Sequence, residues 1–329
     1  MNRSTSIFLC VALLNLIACS SQLLKQASSH SSDYNQKSGK LVSIRENGKF
    51  GYINLDGQVV IEPQFDDTHF FSEGLAAVKI GNQWGFIDRM GKMAIKPQFD
   101  DAYFFSKGLA AVKIDNHWGF IDPTGKMVIK PQFNNAYSFS EGLAAVKIGN
   151  QWGFIDQMGK MVIKPQFQFA KGFSQGLAPA KINGKIGYID QAGHIVIKPQ
   201  FVFASLFSAG LAPAKIDRKI GYIDQTGHMV IKPQFDQALG FSNELGLVEI
   251  DGKFGFINQT GKMVVEPQFD VAWNFSEELA AVKIDGKFGF IDKTGKMVFE
   301  PQFDKALSFS EGLAAVKINE EEYIDPTGR

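Results

Sequence analysis

Apolar and polar positions alternate in short runs along this chain, and glycine or proline breaks the runs at regular intervals. In "LAAVKI", Leu75 and Ala77 point one way while Ala76, Val78 and Ile80 point the other. Gly81-Asn82 follows, and then "QWGFID", where Trp84 and Phe86 oppose Gly85 and Ile87. A period of two predicts strands, and a two-residue loop of Gly, Asn or Asp predicts a type I′ hairpin with positive φ at both central positions. The equivalent pairs are Asn47-Gly48, Asp115-Asn116, Gly149-Asn150, Asn183-Gly184, Asp251-Gly252 and Asp285-Gly286; Asp217-Arg218 departs and predicts a strained turn. A three-residue loop closing on glycine, as in Arg89-Met90-Gly91, leads to a third strand, "KMAIK", expected to stop at Pro97 for want of an N–H. Each three-stranded meander is then followed by a connector such as "QFDDAYFFSK", which leaves open one helical turn or a short fourth strand.

The pattern is a repeat. Pro-Gln-Phe begins at Pro63, Pro97, Pro131, Pro165, Pro199, Pro233, Pro267 and Pro301, always 34 residues apart. Helical tetratricopeptide repeats share that period, but Gly85, Gly91, Pro97 and Gly108 leave no window for two long helices. Both faces of each meander are apolar, and Ala and Gly keep one of them small. Such a sheet has to be covered on both sides, and the neighbouring repeats are the natural covers, large face against small. A β-solenoid is the alternative, but it would stack Lys79, Lys113, Lys147, Lys181 and Lys215 at roughly 4.8 Å, a repulsive ladder. The expected fold is therefore all-β: tandem 34-residue three-stranded repeats packed as a propeller-like ring or an open β superhelix. Ring and open array both stay open. The array begins with three strands (41–62) and finishes with two, "LAAVKI" and "EEYID", and Glu320-Glu321-Glu322-Tyr323 is polar enough to suit an end cap.

The chain's start reads differently. A short polar beginning with Arg3 precedes an apolar run from Ile7 to Ala18, too short for a stable transmembrane helix and suited to an export signal. The run ends in Leu16-Ile17-Ala18-Cys19, which resembles the bacterial lipobox, and that resemblance implies acylation of Cys19 and a membrane anchor, with Ser20 and Ser21 permitting export to an outer membrane. The expected organisation is a signal peptide over 1–18, Cys19 with a Ser-rich tether over 19–40, and an array of about eight full repeats plus a truncated C-terminal cap over 41–329. Cys10 leaves with the signal, so the mature chain has no disulfide and no cysteine metal site.

The repeat itself, "GNQWGFIDRMGKMAIKPQFDDAYFFSKGLAAVKI", resembles the WG repeat, a bacterial β-rich repeat named for its Trp-Gly pair. The likeness spans roughly residues 41 to 325. The pair is Trp84-Gly85, Trp118-Gly119 and Trp152-Gly153, but Phe50-Gly51, Ile186-Gly187, Ile220-Gly221, Phe254-Gly255 and Phe288-Gly289 elsewhere. These exchanges keep bulk and lose the indole N–H, which points to packing. The resemblance implies a repeat architecture and a secreted or surface location. It implies no agreed activity, no cofactor and no catalytic residue.

Charge adds little: Lys plus Arg and Asp plus Glu both number 34, which predicts neither nucleic-acid binding nor an acidic substrate. The recurring Asp88, Asp122, Asp156, Asp190, Asp224, Asp292 and Asp325, with Asn54 and Asn258 as stand-ins, read as turn residues bonded to the backbone ahead of them. Asp66-Asp67 and Asp100-Asp101 read as solvated connector, and His69, His117, His194 and His228 as scattered surface positions. No Ser-His-Asp spacing, phosphate-cradling loop or metal-ligand cluster is present, so neither an enzyme nor a metal site is expected. The copies disagree most usefully in two connectors, "QFQFAKGFSQ" and "QFVFASLFSA", where Phe169 and Phe203 replace acidic residues. The strands that follow carry Pro179 and Pro213, expected at exposed edges or bulges. Phe169 and Phe203 are the candidate partner-binding residues, set against private packing of two similar copies. The functional expectation is a lipid-anchored, non-catalytic scaffold of the bacterial cell envelope that binds a protein or glycan. A structural spacer without a ligand and a cell-wall hydrolase are the alternatives.

Overall fold

The computed structural model describes residues 8–12, 40–54, 58–309 and 312–317. Among them every regular element is a strand. Eight sheets, one for each copy of Pro-Gln-Phe, are the blades of a β-propeller. The first has three strands, Val42–Glu46, Lys49–Ile53 and Val59–Phe65; the next seven have four each. Asp67–Thr68, Leu75–Ile80, Gln83–Asp88 and Met93–Phe99 show the pattern, each strand antiparallel to the one before it. The three-stranded meander is thus completed by the short fourth strand that the connector had left open. The connector holds a two-residue strand rather than a helical turn, and that strand pairs with the sheet of the following repeat, as Ala102 with Val112 and Asp101 with Lys113.

Successive sheets share no ladder, which rules out the solenoid. The remaining strands, Lys305–Ala306 and Leu313–Lys317, form a separate sheet with Phe8–Ala12, and Phe8–Ala12 lies against Val42–Glu46. The two ends of the array therefore meet and close the ring rather than leaving an open superhelix. Phe8–Ala12 falls inside the stretch that reads as a signal. Cys19, the tether and the polar stretch Glu320 to Tyr323 lie outside the described residues.

Packing between blades follows the large-on-small rule. Trp118, Phe120, Ile129 and Phe133 of one blade form a single buried cluster with Ala144, Val146 and Ile155 of the next. The same arrangement recurs with Trp84, Phe86, Ile95 and Phe99 against Ala110, Val112 and Ile121. A fully buried phenylalanine contributes about 1.5–3 kcal/mol, so these interfaces dominate the stability of the ring. The connectors add a second layer: Phe105 packs edge-on against Phe86 of the preceding blade at 5.0 Å between ring centres.

The outer strand runs through its proline instead of stopping there. Trp84 pairs with Phe99 and Phe86 with Ile95, so Gly85 alone faces Lys96, Pro97 and Gln98 across a bulge. The proline sits where no ladder N–H is needed and marks the exposed outer edge of every blade. The same bulge explains the glycine. A Cβ on Gly85 would lie 2.5 Å from the Ile95 carbonyl oxygen and 2.7 Å from the Pro97 nitrogen, and Gly119 is equally hemmed in by Ile129 and Pro131. Glycine is thus the obligatory member of each aromatic-Gly pair, while its partner has only to fill space.

The turns divide into three kinds. Asn47-Gly48, Asp115-Asn116, Asn183-Gly184, Asp251-Gly252 and Asp285-Gly286 have positive φ at both positions, as type I′ requires. Gly81-Asn82 and Gly149-Asn150 have it only at the glycine, the type II′ pattern, which corrects the uniform I′ expectation. At Asp217-Arg218 neither residue enters the left-handed region; strands Ala212–Lys215 and Ile220–Ile223 end early and the loop widens instead of straining. Pro179 and Pro213 are corrected as well. Both are buried in the second of four strands, opposite Tyr188 and Tyr222. They are tolerated because pairs alternate along a hairpin. Each proline falls in a non-hydrogen-bonded pair, so its missing N–H would face past the end of the two-residue first strand.

Two outcomes follow for stability. Gly119→Ala is expected to destabilise the protein by about 1–3 kcal/mol or more, against less than about 1.5 kcal/mol for Trp118→Phe; denaturant unfolding in which Trp118→Phe proves the costlier change would refute the bulge argument. A peptide from Asp67 to Phe99 contains all four strands of a blade but neither neighbour. It should be unfolded by circular dichroism, and cooperative melting of the monomeric peptide would overturn the mutual-cover account.

Candidate functional site

The axis is located by equivalent residues of successive copies coming into direct contact. The ring centres of Phe70 and Phe104, equivalent positions in neighbouring connectors, are 4.7 Å apart. The hydroxyl of each connector serine donates to a phenylalanine carbonyl in the next connector: Ser72 to Phe105, Ser106 to Phe139, Ser140 to Phe173, and onward through Ser174, Ser208, Ser242 and Ser276, at 2.5–2.8 Å. Only the inside of a ring brings blades this close, so the connectors line the axis and the proline-bearing strands the rim. The connector also holds an unforeseen tight turn, in which Glu73 and Gly74 both have positive φ between bonded Ser72 and Leu75. The Glu73 carboxylate accepts from the N–H groups of Lys107 and Gly108 in the next turn, and Glu141 does the same for Gln175 and Gly176.

The acidic positions are structural. Asp88 accepts from the N–H groups of Met90 and Lys92, and Asp156, Asp190, Asp224, Asp292 and Asn258 act alike, which is the turn role their spacing implies. Asp325 lies outside the described residues. The first Asp of the connector is more than solvated surface. Asp66 binds the Lys49 ammonium of the preceding blade and the N–H of Gly81, and these contacts hold its carboxyl below the usual range, the lysine most strongly. Lys219 with Asp236, Lys253 with Asp270 and Lys287 with Asp304 repeat the link at 2.6–2.7 Å.

The candidate partner residues occupy one position later in this slot. Phe169 and Phe203 lie in the two-residue first strands of consecutive blades, opposite Lys181 and Lys215. Their surroundings differ. Phe169 is half-buried and meets Trp152 edge-on at 6.1 Å, within the core cluster of that interface. Phe203 is 39 % exposed beside Val202 at 50 %. The four histidines stay apart: His69 stacks on Trp84 at 5.0 Å, while His117, His194 and His228 are exposed and bond within their own turns. Among the described residues no group of three or more His, Cys, Asp or Glu is placed to hold a metal.

A cavity among the connectors was not foreseen from the sequence. It has a volume of about 440 Å³ and is lined by four consecutive connectors, including Tyr103, Phe104, Tyr137, Ser138, Lys171 and Leu206. Tyr103 and Tyr137 are fixed by stacking on Trp118 and Trp152, at 4.8 and 5.1 Å and within 18° of parallel. Burial, then the Asp101 carboxylate and Tyr137, hold the Tyr103 phenol above its ordinary pKa. Its signal was present as divergence two residues beyond Phe169 and Phe203. The equivalent positions read Tyr103-Phe104, Tyr137-Ser138, Lys171-Gly172 and Ser205-Leu206. Nothing in a linear reading shows that four such pairs converge. The tyrosines that replace phenylalanine in the blades are a different case. Tyr52, Tyr188 and Tyr222 donate to the carbonyls of His69, Ser205 and Leu239, and burial pushes Tyr52 up to about 12.

Among solved structures the chain resembles propellers. An initiation factor described as eukaryotic matches at 11 % identity, covering 87 % of this chain and 90 % of that one, with a TM-score of 0.59. The dihydro-heme d1 dehydrogenase NirN in complex with DHE matches at 12 %, covering 85 % and 74 %, with a TM-score of 0.51. At such identities the likeness extends to the fold alone. No curated protein matches. The family model for the WG containing repeat matches eight times in tandem, over 50–84, 84–117, 118–152, 152–185, 186–219, 220–254, 254–288 and 288–321. The obligatory bulge glycine, the exchangeable aromatic before it and the eightfold period are thus those of a known repeat, and the chain belongs to the WG-containing repeat family.

Proposed function

We propose that this propeller is a non-catalytic binding scaffold of the bacterial cell envelope, held by lipid on Cys19 and presenting its ring to a protein or glycan partner. A propeller of repeats suits a binding or scaffold role in general, because the blades carry the fold and leave their connectors and turns free to vary. The observation that carries the more specific reading is the break in the Lys–Asp series. Where other blades set a carboxylate to tie down the neighbouring lysine, the Lys185 blade is followed by Val202, and Phe203 stands exposed next to it. An interblade link is given up in favour of apolar surface in water, a feature that a contact surface explains better than packing does. Phe169, seated on Trp152, supports the same face from the adjacent blade.

The two halves of the proposal are tested separately. With Cys19→Ala, the protein expressed in a bacterial host should move from the membrane to the soluble fraction, and unchanged membrane association would remove the lipid anchor from the account. Phe203→Ser should abolish capture of a partner cross-linked in envelope extracts while leaving the unfolding midpoint within about 0.5 kcal/mol. Phe169→Ser should instead lower stability by about 2 kcal/mol or more. Undiminished capture by Phe203→Ser would sink the contact-surface reading.

A further inference from the structure

We propose that the cavity on the axis binds a small amphipathic carboxylate, its hydrocarbon part held by Phe104, Leu206 and the faces of Tyr103 and Tyr137, and its carboxylate by Lys171. This goes beyond the scaffold reading and does not depend on it, since it concerns a different surface and a small ligand.

The argument begins with the composition of the lining. Rings and an alkyl side chain make up the walls, and the polar side chains among them are two phenols, the hydroxyls of Ser138 and Ser140, and one ammonium. No carboxylate or side-chain amide belongs to the lining, so its one charged group is the Lys171 ammonium, a donor with no acceptor capacity, beside hydroxyls that donate and accept alike. A sugar, hydroxylated all round, would set most of its polar edge against apolar rings and Leu206. A cation would be repelled by Lys171. A ligand with an apolar body and an acceptor-rich, negative head matches both parts of the wall. At about 440 Å³ the cavity falls within the range of small-molecule sites, which are largely apolar with a few convergent polar groups.

Preorganisation points the same way. The two tyrosine rings are pinned from behind by Trp118 and Trp152, so they form fixed walls and need no ordering when a ligand enters. Lys171 is half-buried, and its ammonium makes no hydrogen bond or ion pair with another described residue. It is also out of register with the rest of the ring. The equivalent residues are His69, Tyr103, Tyr137, Ser205, Leu239, Trp273 and Leu307, so a lysine with an aliphatic stem and charged tip appears at this position once only. Ser138 and Gly172 stand where the two preceding connectors have Phe70 and Phe104, and their small side chains leave space beside Phe104. Small residues, a single cation and two braced rings therefore coincide in three consecutive connectors.

Decanoate is the probe, with decanol as its uncharged counterpart, titrated by calorimetry into the full-length protein at neutral pH. The expected result is saturable binding of one decanoate per chain, with decanol about tenfold weaker or worse. Lys171→Met should remove that preference, bringing decanoate down to the decanol level while the unfolding midpoint holds. Leu206→Trp, which refills the cavity from an exposed position, should abolish binding of both. The proposal is overturned if decanoate fails to saturate below about 5 mM, if decanol binds equally well, or if either substitution leaves decanoate affinity unchanged. Capture of an envelope partner through Phe203 is read in a separate assay, so either proposal can fail alone.

Discussion

Every blade of this protein is a sheet with two apolar faces, and no blade is able to bury both. That constraint organises the molecule. The bulky face, carrying Trp118, Phe120, Ile129 and Phe133, has to meet a face cut down to alanine, valine and isoleucine, such as Ala144, Val146 and Ile155. Each sheet presents one face of each kind, so stacking is directional and the same joint is made again at every step. Closing the array into a ring covers the faces that a linear stack would leave wet at its ends, which is where Phe8–Ala12 meets Leu313–Lys317 and Val42–Glu46.

Backbone geometry sets which residues are free to vary within this scheme. The bulge in the outer strand leaves Gly51, Gly85, Gly119 and their equivalents no room for a Cβ, because the carbonyl of the paired strand occupies the space. The residue before the glycine faces side chains rather than backbone, and tryptophan gives way to phenylalanine or isoleucine without disturbing the ladder. Even there the exchanges are coupled. Trp84, Trp118 and Trp152 each stack with a flat ring from the preceding connector, His69, Tyr103 and Tyr137, while the blades with Ile186 and Ile220 have Lys171 and Ser205, respectively, in the corresponding connector positions. An aromatic platform needs an aromatic cover; an aliphatic side chain does not.

The same logic separates scaffold from surface. Hydrogen bonds from connector serines to the next connector's carbonyls run around the axis, each contributing about 0.5–1.5 kcal/mol, and the Lys–Asp links run between neighbouring hairpins. Exposed ion pairs of this kind contribute little to stability, so a blade is able to lose one cheaply. The connectors of the third to sixth sheets use that freedom most: acid becomes amide and then Phe or Val, and aromatic becomes lysine or glycine. Divergence is concentrated in the connectors, and both proposed binding surfaces are built there, Phe203 in the open and Phe169, Tyr103 and Tyr137 resting on the interblade core.

The sequence by itself determined the strands, the eightfold period, the turn role of the aspartates and the large-on-small packing, because each follows from local chemistry: alternation, loop glycines and side-chain volume repeated in register. It did not show that the outer strand passes through Pro97, that the connector's short strand joins the following sheet, or that Pro179 and Pro213 sit buried in inner strands. Those depend on which backbone groups face a partner, a property of pairs of strands. Phe169 and Phe203 were legible as divergent residues, but only the folded chain separates them, setting one on Trp152 and leaving the other open. The cavity lined by Tyr103, Tyr137, Lys171 and Leu206 was decided by tertiary structure alone. Residues a repeat apart are strangers along the chain, and ring closure makes them neighbours because only at the axis does the distance between successive blades fall to the reach of a side chain.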